Sequence, residues 1–361
     1  VIDDVPVVNA VAHAYNLAPE NARGPVGEAV RQGFHGIHAT FNPPGEQVPA
    51  ERFLTDQSAE LLAHTHFLES DVDLLVYHVL RLDSLFHDGL CSLDKAVELA
   101  RRWPRRVVTY LGVDPTLGLE RCLSDLAEQR ARLPEAVGLK LYPDQLDPYR
   151  TFSMDDPELM FPLYERAAEL GLRVVAVHKA LPNGPVPLAP YSVADVEGAA
   201  MRFPELAFEI VHAGMAFVPE TAYAIARFPN VYANLEVTTM LLAKAPGRFA
   251  EVMAEFLFWG GPRKIVYSDG ALFTHPQPTL HRFWDFQLPA ELAAKHGLPP
   301  LTREDKALMV GGNWARMAGV DLDAVVAAQA GDEFAVARAE HGGLREPFTA
   351  WRAGTPADIR A

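Results

Sequence analysis

RVVAVHKALPNGPVPLAPYSVADVEGAAMRFPELAFEIVHAGM, residues 173–215, holds one complete unit of the fold. It opens on an apolar run, Arg173–His178, and ends on a second, Ala207–His212. A helical pattern lies between them, and Ser192-Val-Ala-Asp195 reads as its capping box, with Asp where Glu or Gln is usual. Near-continuous apolar runs of this kind are expected of parallel strands covered on both faces.

The same alternation extends outward in both directions. Candidate strands are Val7–His13, Asp73–Leu80, Arg106–Val113, Val137–Tyr142, Arg173–His178, Ala207–His212, Val231–Val237 and Lys264–Ser268. The helical pattern Pro157–Leu170 stops at Gly171, a C′ glycine. Thr302-Arg-Glu-Asp305 is a second capping box. Eight βα units in series predict an α/β fold, a (β/α)8 TIM barrel, with function at the carboxyl ends of its strands. A doubly wound open sheet is the alternative, but the number of repeats and the polar residues at strand ends favour the barrel. The expected organisation is a single domain over 1–361. Within it, 16–69 forms a cap insertion rich in Pro, Gly and His, and 325–361 forms a C-terminal extension. Pro182–Tyr191 reads as a Pro-rich loop. Asn313-Trp-Ala-Arg316, after the last strand, reads as a helix-packing feature.

Of the 361 residues, 49% are hydrophobic, enough for a large core, and the formal net charge is -15. That charge repels nucleic acid and anionic membranes, so neither is an expected partner. Cys91 and Cys122 form no zinc-finger or CxxC spacing and fit a reducing compartment or simply inert thiols. No apolar run is long enough to span a bilayer and no secretory signal is visible, so the expected location is cytoplasmic. The chain opens at Val1, without a Met.

Chemistry gathers at the predicted strand ends. His13 and Tyr15 follow strand one, Lys140 lies on strand four, and His178 and His212 end strands five and six. Glu236 ends strand seven and Asp269 strand eight. Imidazole and carboxylate are ordinary metal ligands, and side chains at barrel strand ends converge on one axis. One His after a strand is ordinarily a hydrogen-bonded core or surface residue; three His, a Glu and an Asp on separate strands predict a shared metal site.

The order His13, Lys140, His178, His212, Asp269, with the local stretches GLKLYP, FEIVHAGM and IVYSDG, resembles the amidohydrolase-related superfamily across residues 5–320. The resemblance implies a metal on His13, His178 and Asp269, with His212 as ligand or catalytic polariser. The sequence departs from the family pattern in three places. Tyr15 replaces the second His of an expected His-x-His, Asn9 stands where an acidic residue often precedes that motif, and Glu236 is an extra carboxylate. The resulting oxygen-rich set suits iron or manganese better than zinc and is large enough for two metals. General likeness around HKALPNGP, NLEVT and SDG…HPQP extends the resemblance to the superfamily's minority of dinuclear iron or manganese–iron oxygenases.

Other roles stand beside these. Tyr15 serves as ligand or as a hydroxyl hydrogen-bonding in the mouth. Glu236, in an apolar strand, needs a metal or a cationic partner. Lys140, in a strand expected to be buried, forms an ion pair or binds a substrate carboxylate, with carboxylation to bridge two metals as the less favoured alternative. His78 and His275 are candidate second-layer residues, with structural roles as the alternative. His35, His38, His64 and His66 lie in the cap as polar residues.

Three functions follow. The first, slightly favoured, is O2-dependent hydroxylation of a small organic or amino-acid-like substrate by an Fe/Fe or Mn/Fe pair. The second is mononuclear zinc or manganese hydrolysis or decarboxylation, with Asp269 shuttling a proton and His212 polarising a carbonyl. The third is an inactive barrel supporting a related subunit. The expected assembly is a homo-oligomer or a pairing with such a subunit.

Overall fold

The computed structural model describes residues 1–182, 184–353 and 358–359. The barrel strands are β1 (Val8–Ala12), β2 (Leu74–His78), β3 (Val107–Gly112), β4 (Gly138–Leu141), β5 (Val174–His178), β6 (Ala207–Val211), β7 (Val231–Asn234) and β8 (Ile265–Val266). Each pairs in parallel with the next, so sheet order equals chain order. All eight coincide with apolar runs predicted from the sequence. The seam between β8 and β1 is nearly closed: Ala10 N–H reaches the Tyr267 carbonyl at 3.4 Å, and Ser268 Oγ accepts from Val11 N–H at 3.1 Å. The fold is thus a (β/α)8 barrel and not an open doubly wound sheet.

The barrel is filled rather than hollow, as this architecture requires. Leu74, Val76, Val174, Ala176 and Val266 pack inside it with Tyr110 and Trp314. Trp314 Nε1 donates to the Tyr110 hydroxyl at 2.9 Å, and Asn313 Nδ2 donates to the carbonyls of Pro262 and Ile265, each at 2.7 Å. The predicted packing motif at 313–316 therefore plugs the barrel floor. Gly138 makes room for Tyr110, because a Cβ there would lie 2.6 Å from its ring. At Gly112 a Cβ would lie 2.0 Å from the Val79 carbonyl oxygen, so only glycine lets β2 and β3 approach at their carboxyl ends.

Segment 16–69 carries helices Gly24–Phe41, Ala50–Phe53 and Ala59–Phe67. His38 ties it to the loop after β8: its Nδ1 lies 2.6 Å from the Phe273 carbonyl and its Nε2 accepts from Val48 N–H at 2.7 Å. The C-terminal segment contributes helix Glu333–His341 and a short helix, Thr349–Ala353. Glu69 accepts from Ala350 N–H at 2.6 Å, and Arg52 donates to the Trp351 carbonyl at 2.6 Å.

Local expectations divide. The Thr302 box forms with both of its bonds. The Ser192 box does not: the helix begins at Ala194, and the Asp195 carboxylate instead accepts from Lys179 Nζ at 2.8 Å and Met154 N–H at 2.9 Å. A buried ammonium outcompetes a backbone amide for that carboxylate. The helix predicted over 157–170 spans Met160–Glu169, and Gly171 has φ +77°. An antiparallel hairpin after β4, Asp144–Leu146 with Tyr149–Thr151, was not foreseen. Asn183, within the Pro-rich loop and the HKALPNGP stretch, and residues 354–357, 360 and 361 of the C-terminal extension lie outside the described residues.

Candidate active site at the barrel mouth

The strand ends bring His13, His78, Lys140, His178, His212, Glu236 and Asp269 to one end of the barrel, all buried. Two left-handed residues shape this mouth. His212 has φ +66° and Val237, directly after Glu236, has φ +61°. Strained backbone of this kind persists where the surrounding structure over-determines it.

The His178 ring stacks on Tyr142, with centroids 4.5 Å apart. Its Nε2 lies 2.7 Å from the Leu181 carbonyl, so Nε2 carries the proton and Nδ1 is an acceptor. His212 Nε2, 2.9 Å from that Nδ1, must then be a donor. This leaves His212 Nδ1 with a lone pair, in close contact with Glu236 Oε2 but without a hydrogen bond to it. Two electron-pair donors thus face each other, an arrangement that a proton or a metal ion between them would resolve. Burial holds Glu236 up at about 7, against the pull of His13 and Lys140. Burial also drives His178 and His212 well below the ordinary imidazole range.

Across the mouth, His13 Nδ1 has no hydrogen bond, and burial depresses its pKa to about 3. Its ring lies 5.0 Å from Tyr15 and edge-on to His78 at 5.8 Å. His78 stacks on Tyr110 at 4.4 Å, and its Nε2 lies 3.0 Å from the Ala10 carbonyl. Tyr15 packs its ring on Phe34 and Phe273. Asp269 uses Oδ1 to accept from Asn9 Nδ2 and Ala271 N–H, each at 2.7 Å, while its Oδ2 has no partner. Burial raises Asp269 to about 8, with the Glu236 charge adding to the effect against the hydrogen bonds from Ala271 and Asn9.

Lys140 is 2% exposed, and no described residue hydrogen-bonds its ammonium. Burial pushes its pKa down to about 8, against the attraction of Glu236 and Glu209. His275 lies apart from this group. Its Nε2 meets Glu69 Oε2 at 2.9 Å and its Nδ1 caps the helix Pro276–Asp285.

Sequence reading passed over two participants. Glu209, in the middle of β6, is fully buried beside Asn234, whose Nδ2 lies 3.2 Å away, and burial raises it to about 8. A carboxylate inside the run Ala207–Val211 was the available signal. His66 was placed among ordinary cap residues, yet its Nε2 lies 2.9 Å from Asn9 Nδ2, the amide that holds Asp269.

The donor chemistry suits a divalent transition-metal ion: His13 Nδ1, His212 Nδ1, Glu236 Oε2 and Asp269 Oδ2 are all buried without hydrogen bonds. Among the described residues, no three His, Cys, Asp or Glu side chains are arranged to share one ion as they stand. No helix among them is long and apolar enough to cross a membrane.

A family model described as amidohydrolase matches residues 85–319. An uncharacterised TIM-barrel protein from Bordetella bronchiseptica superposes with TM-score 0.59 at 17% identity, covering 87% of this chain and 100% of the other. A 5-carboxyvanillate decarboxylase from Sphingomonas paucimobilis gives 0.55 at 15% identity, covering 88% and 100%. A dihydroxybenzoic acid decarboxylase from a Polaromonas species, with bound manganese and an inhibitor, gives 0.51 at 13%, covering 86% and 96%. At these identities the likeness is one of fold. No curated protein matches the sequence.

Proposed function

The chain belongs to the amidohydrolase family, and on that premise we propose that this enzyme is a metal-dependent decarboxylase or hydrolase of a small, planar carboxylic acid. One observation carries the proposal: a buried, unbonded Lys140 ammonium shares the barrel mouth with four unbonded metal-type donor atoms. A cation that no described residue hydrogen-bonds is a ready partner for a substrate carboxylate. The similar structures include decarboxylases of aromatic acids, one of them with bound manganese, and this supports the reading.

His13 Nδ1, His212 Nδ1 and Glu236 Oε2 would hold the metal once their side chains turn towards one ion, leaving Asp269 Oδ2 unbonded. A bound divalent ion supplies Lewis acidity towards a carboxylate or carbonyl oxygen. His178 orients His212 through the Nδ1···Nε2 bond. Lys140 fixes the substrate's carboxylate. In decarboxylation, the carbon–carbon bond breaks, carbon dioxide departs, and the electron pair left on carbon takes the proton held at Asp269 Oδ2. Solvent then restores that proton.

The O2-dependent, dinuclear Fe/Fe or Mn/Fe reading retains one supporting observation, the surplus of oxygen donors in Glu236, Asp269 and the nearby Tyr15. Metal analysis of purified protein separates the two. About one equivalent, with carbon dioxide released from aromatic acids under argon, supports the decarboxylase; about two, with dioxygen consumed, supports the oxygenase. Protein that stays metal-free in manganese, iron and zinc would overturn both.

A further inference from the structure

We propose that Tyr15 and Tyr142 read the substrate: their hydroxyls donate to a second, uncharged oxygen on the acid whose carboxylate Lys140 holds. The inference rests on that role of Lys140 and adds what the rest of the acid must carry. Four core tyrosines spend their hydroxyls on the protein. Tyr77 donates to the Ser92 carbonyl at 3.4 Å, Tyr164 to the Met154 carbonyl at 3.0 Å and Tyr191 to Asp144 Oδ2 at 2.8 Å, and Tyr110 accepts from Trp314. Tyr267, whose hydroxyl is unbonded, packs against Phe283 of the helix Pro276–Asp285. Tyr15 is 2% exposed and Tyr142 half-buried, yet no described residue hydrogen-bonds either hydroxyl. A buried phenol ordinarily finds a partner, and at the mouth of a barrel that partner is the ligand.

Both rings are set before any ligand arrives. Gln57 brackets Tyr15, accepting from its N–H at 3.2 Å and donating to its carbonyl at 2.9 Å. The Tyr15 ring is wedged against Phe34 and Phe273, with centroids 5.2 and 5.3 Å away. Tyr142 stacks on His178, and its ring centroid lies 5.5 Å from Lys140 Nζ. Glu236 is near enough to act electrostatically on both hydroxyls, and Tyr142 on that of Tyr15. Three donors that no described residue uses, one ammonium and two phenols, therefore share the mouth. Charge divides their tasks. A carboxylate gains most from the ammonium, through a charge-assisted bond. A second anion at the phenols would face Glu236, whereas a hydroxyl, ether or carbonyl oxygen accepts from them without that repulsion. The ligand class is thus a planar monocarboxylic acid with a neutral oxygen substituent. A site built to hydrogen-bond such an oxygen discriminates against the analogue that lacks it.

Calorimetric titration of the full chain with benzoate and with meta- and para-hydroxybenzoate tests this. In both hydroxy acids the hydroxyl is too far from the carboxylate to chelate a metal with it. The wild type is expected to bind at least one of them roughly tenfold more tightly than benzoate, the discrimination of one or two neutral hydrogen bonds. The double variant Tyr15→Phe with Tyr142→Phe keeps both rings and should bind that acid and benzoate alike. If the wild type binds benzoate without preferring either hydroxy acid, or the preference survives in the double variant, the inference is overturned while Lys140 stands as the carboxylate site. A wild type that binds none of the three acids overturns both. Equilibrium dialysis of Tyr15→Phe with manganese is expected to show binding unchanged; its loss would make Tyr15 a metal ligand and overturn the inference.

Discussion

Asn9 donates one amide proton to Asp269 Oδ1 at 2.7 Å and turns the other to His66 Nε2 at 2.9 Å. Its own oxygen accepts from Ser268 Oγ at 2.9 Å and from Asp269 N–H at 3.3 Å. All four hydrogen-bonding positions of the amide are therefore used. His66 Nδ1, 2.7 Å from the Leu62 carbonyl, carries that ring's proton and leaves Nε2 to accept. Asp269 is thus held by one oxygen and left with the other free. Asn9→Ala would orphan several buried groups and is expected to cost roughly 2–4 kcal/mol, at ~1–3 kcal/mol for each unsatisfied group. Asn9→Asp keeps the shape but turns a donor into an acceptor facing Asp269 and should fare no better. Urea unfolding at neutral pH checks this; either variant matching the wild type would show that the clamp is unimportant.

Lys140 should govern affinity for carboxylates. Benzoate is expected to raise the melting temperature of the wild type, because a ligand that binds only the folded state stabilises it. The Lys140→Met variant should lose roughly tenfold or more of that affinity. Equal shifts in the two proteins would remove Lys140 from the carboxylate site.

The two strand-end histidines should behave differently. His212 Nδ1 is free of hydrogen bonds, whereas both nitrogens of His178 are engaged. His212→Ala is therefore expected to abolish manganese binding in equilibrium dialysis. His178→Ala, which removes only the partner that orients His212, should retain binding weakened about 10–100-fold, the usual range for outer-layer substitutions. Equal loss in both variants would make His178 a ligand, as the family resemblance implies.

The barrel was legible because buried parallel strands leave near-continuous apolar runs, and all eight could be seen in the sequence. Residues ending those runs fall together at one mouth for the same reason. What escaped were relations that only closure creates. Asn9 and Asp269 are 260 positions apart and meet across the barrel seam. His66 enters from a helix whose periodicity says nothing about the axis. The contact of His212 with Glu236 depends on left-handed backbone at His212 and Val237, and neither residue type advertises that conformation. His275 stood near Asp269 in sequence, but it caps a helix and pairs with Glu69 instead.

Glu209 should leave a signature in the pH dependence of stability. Burial raises its pKa from 4.5 to about 8. Between those values the folded chain holds a proton that the unfolded chain has lost. The stability this contributes is complete below about pH 4.5 and is lost as the pH rises through about 8, at up to ~1.4 kcal/mol per unit for one such group. Glu236 and Asp269, raised to about 7 and about 8, tilt the curve the same way, so the wild-type slope alone assigns nothing. Lys140, lowered from 10.5 to about 8, contributes slope only above about pH 8 and leaves this window clear. Glu209→Gln retains an oxygen for Asn234 Nδ2 but has no proton to lose. Below about pH 6.5 the buried histidines, His13 at about 3 and His66 at about 4, tilt the curve the opposite way. Measured by urea unfolding in chelator from pH 7 to 8, above that range, the variant should lose stability less steeply than the wild type and exceed it at pH 8. Parallel curves would mean that Glu209 is already ionised in the folded barrel, paired with Lys140, and that the Lys140 charge is spent inside the protein before any substrate arrives.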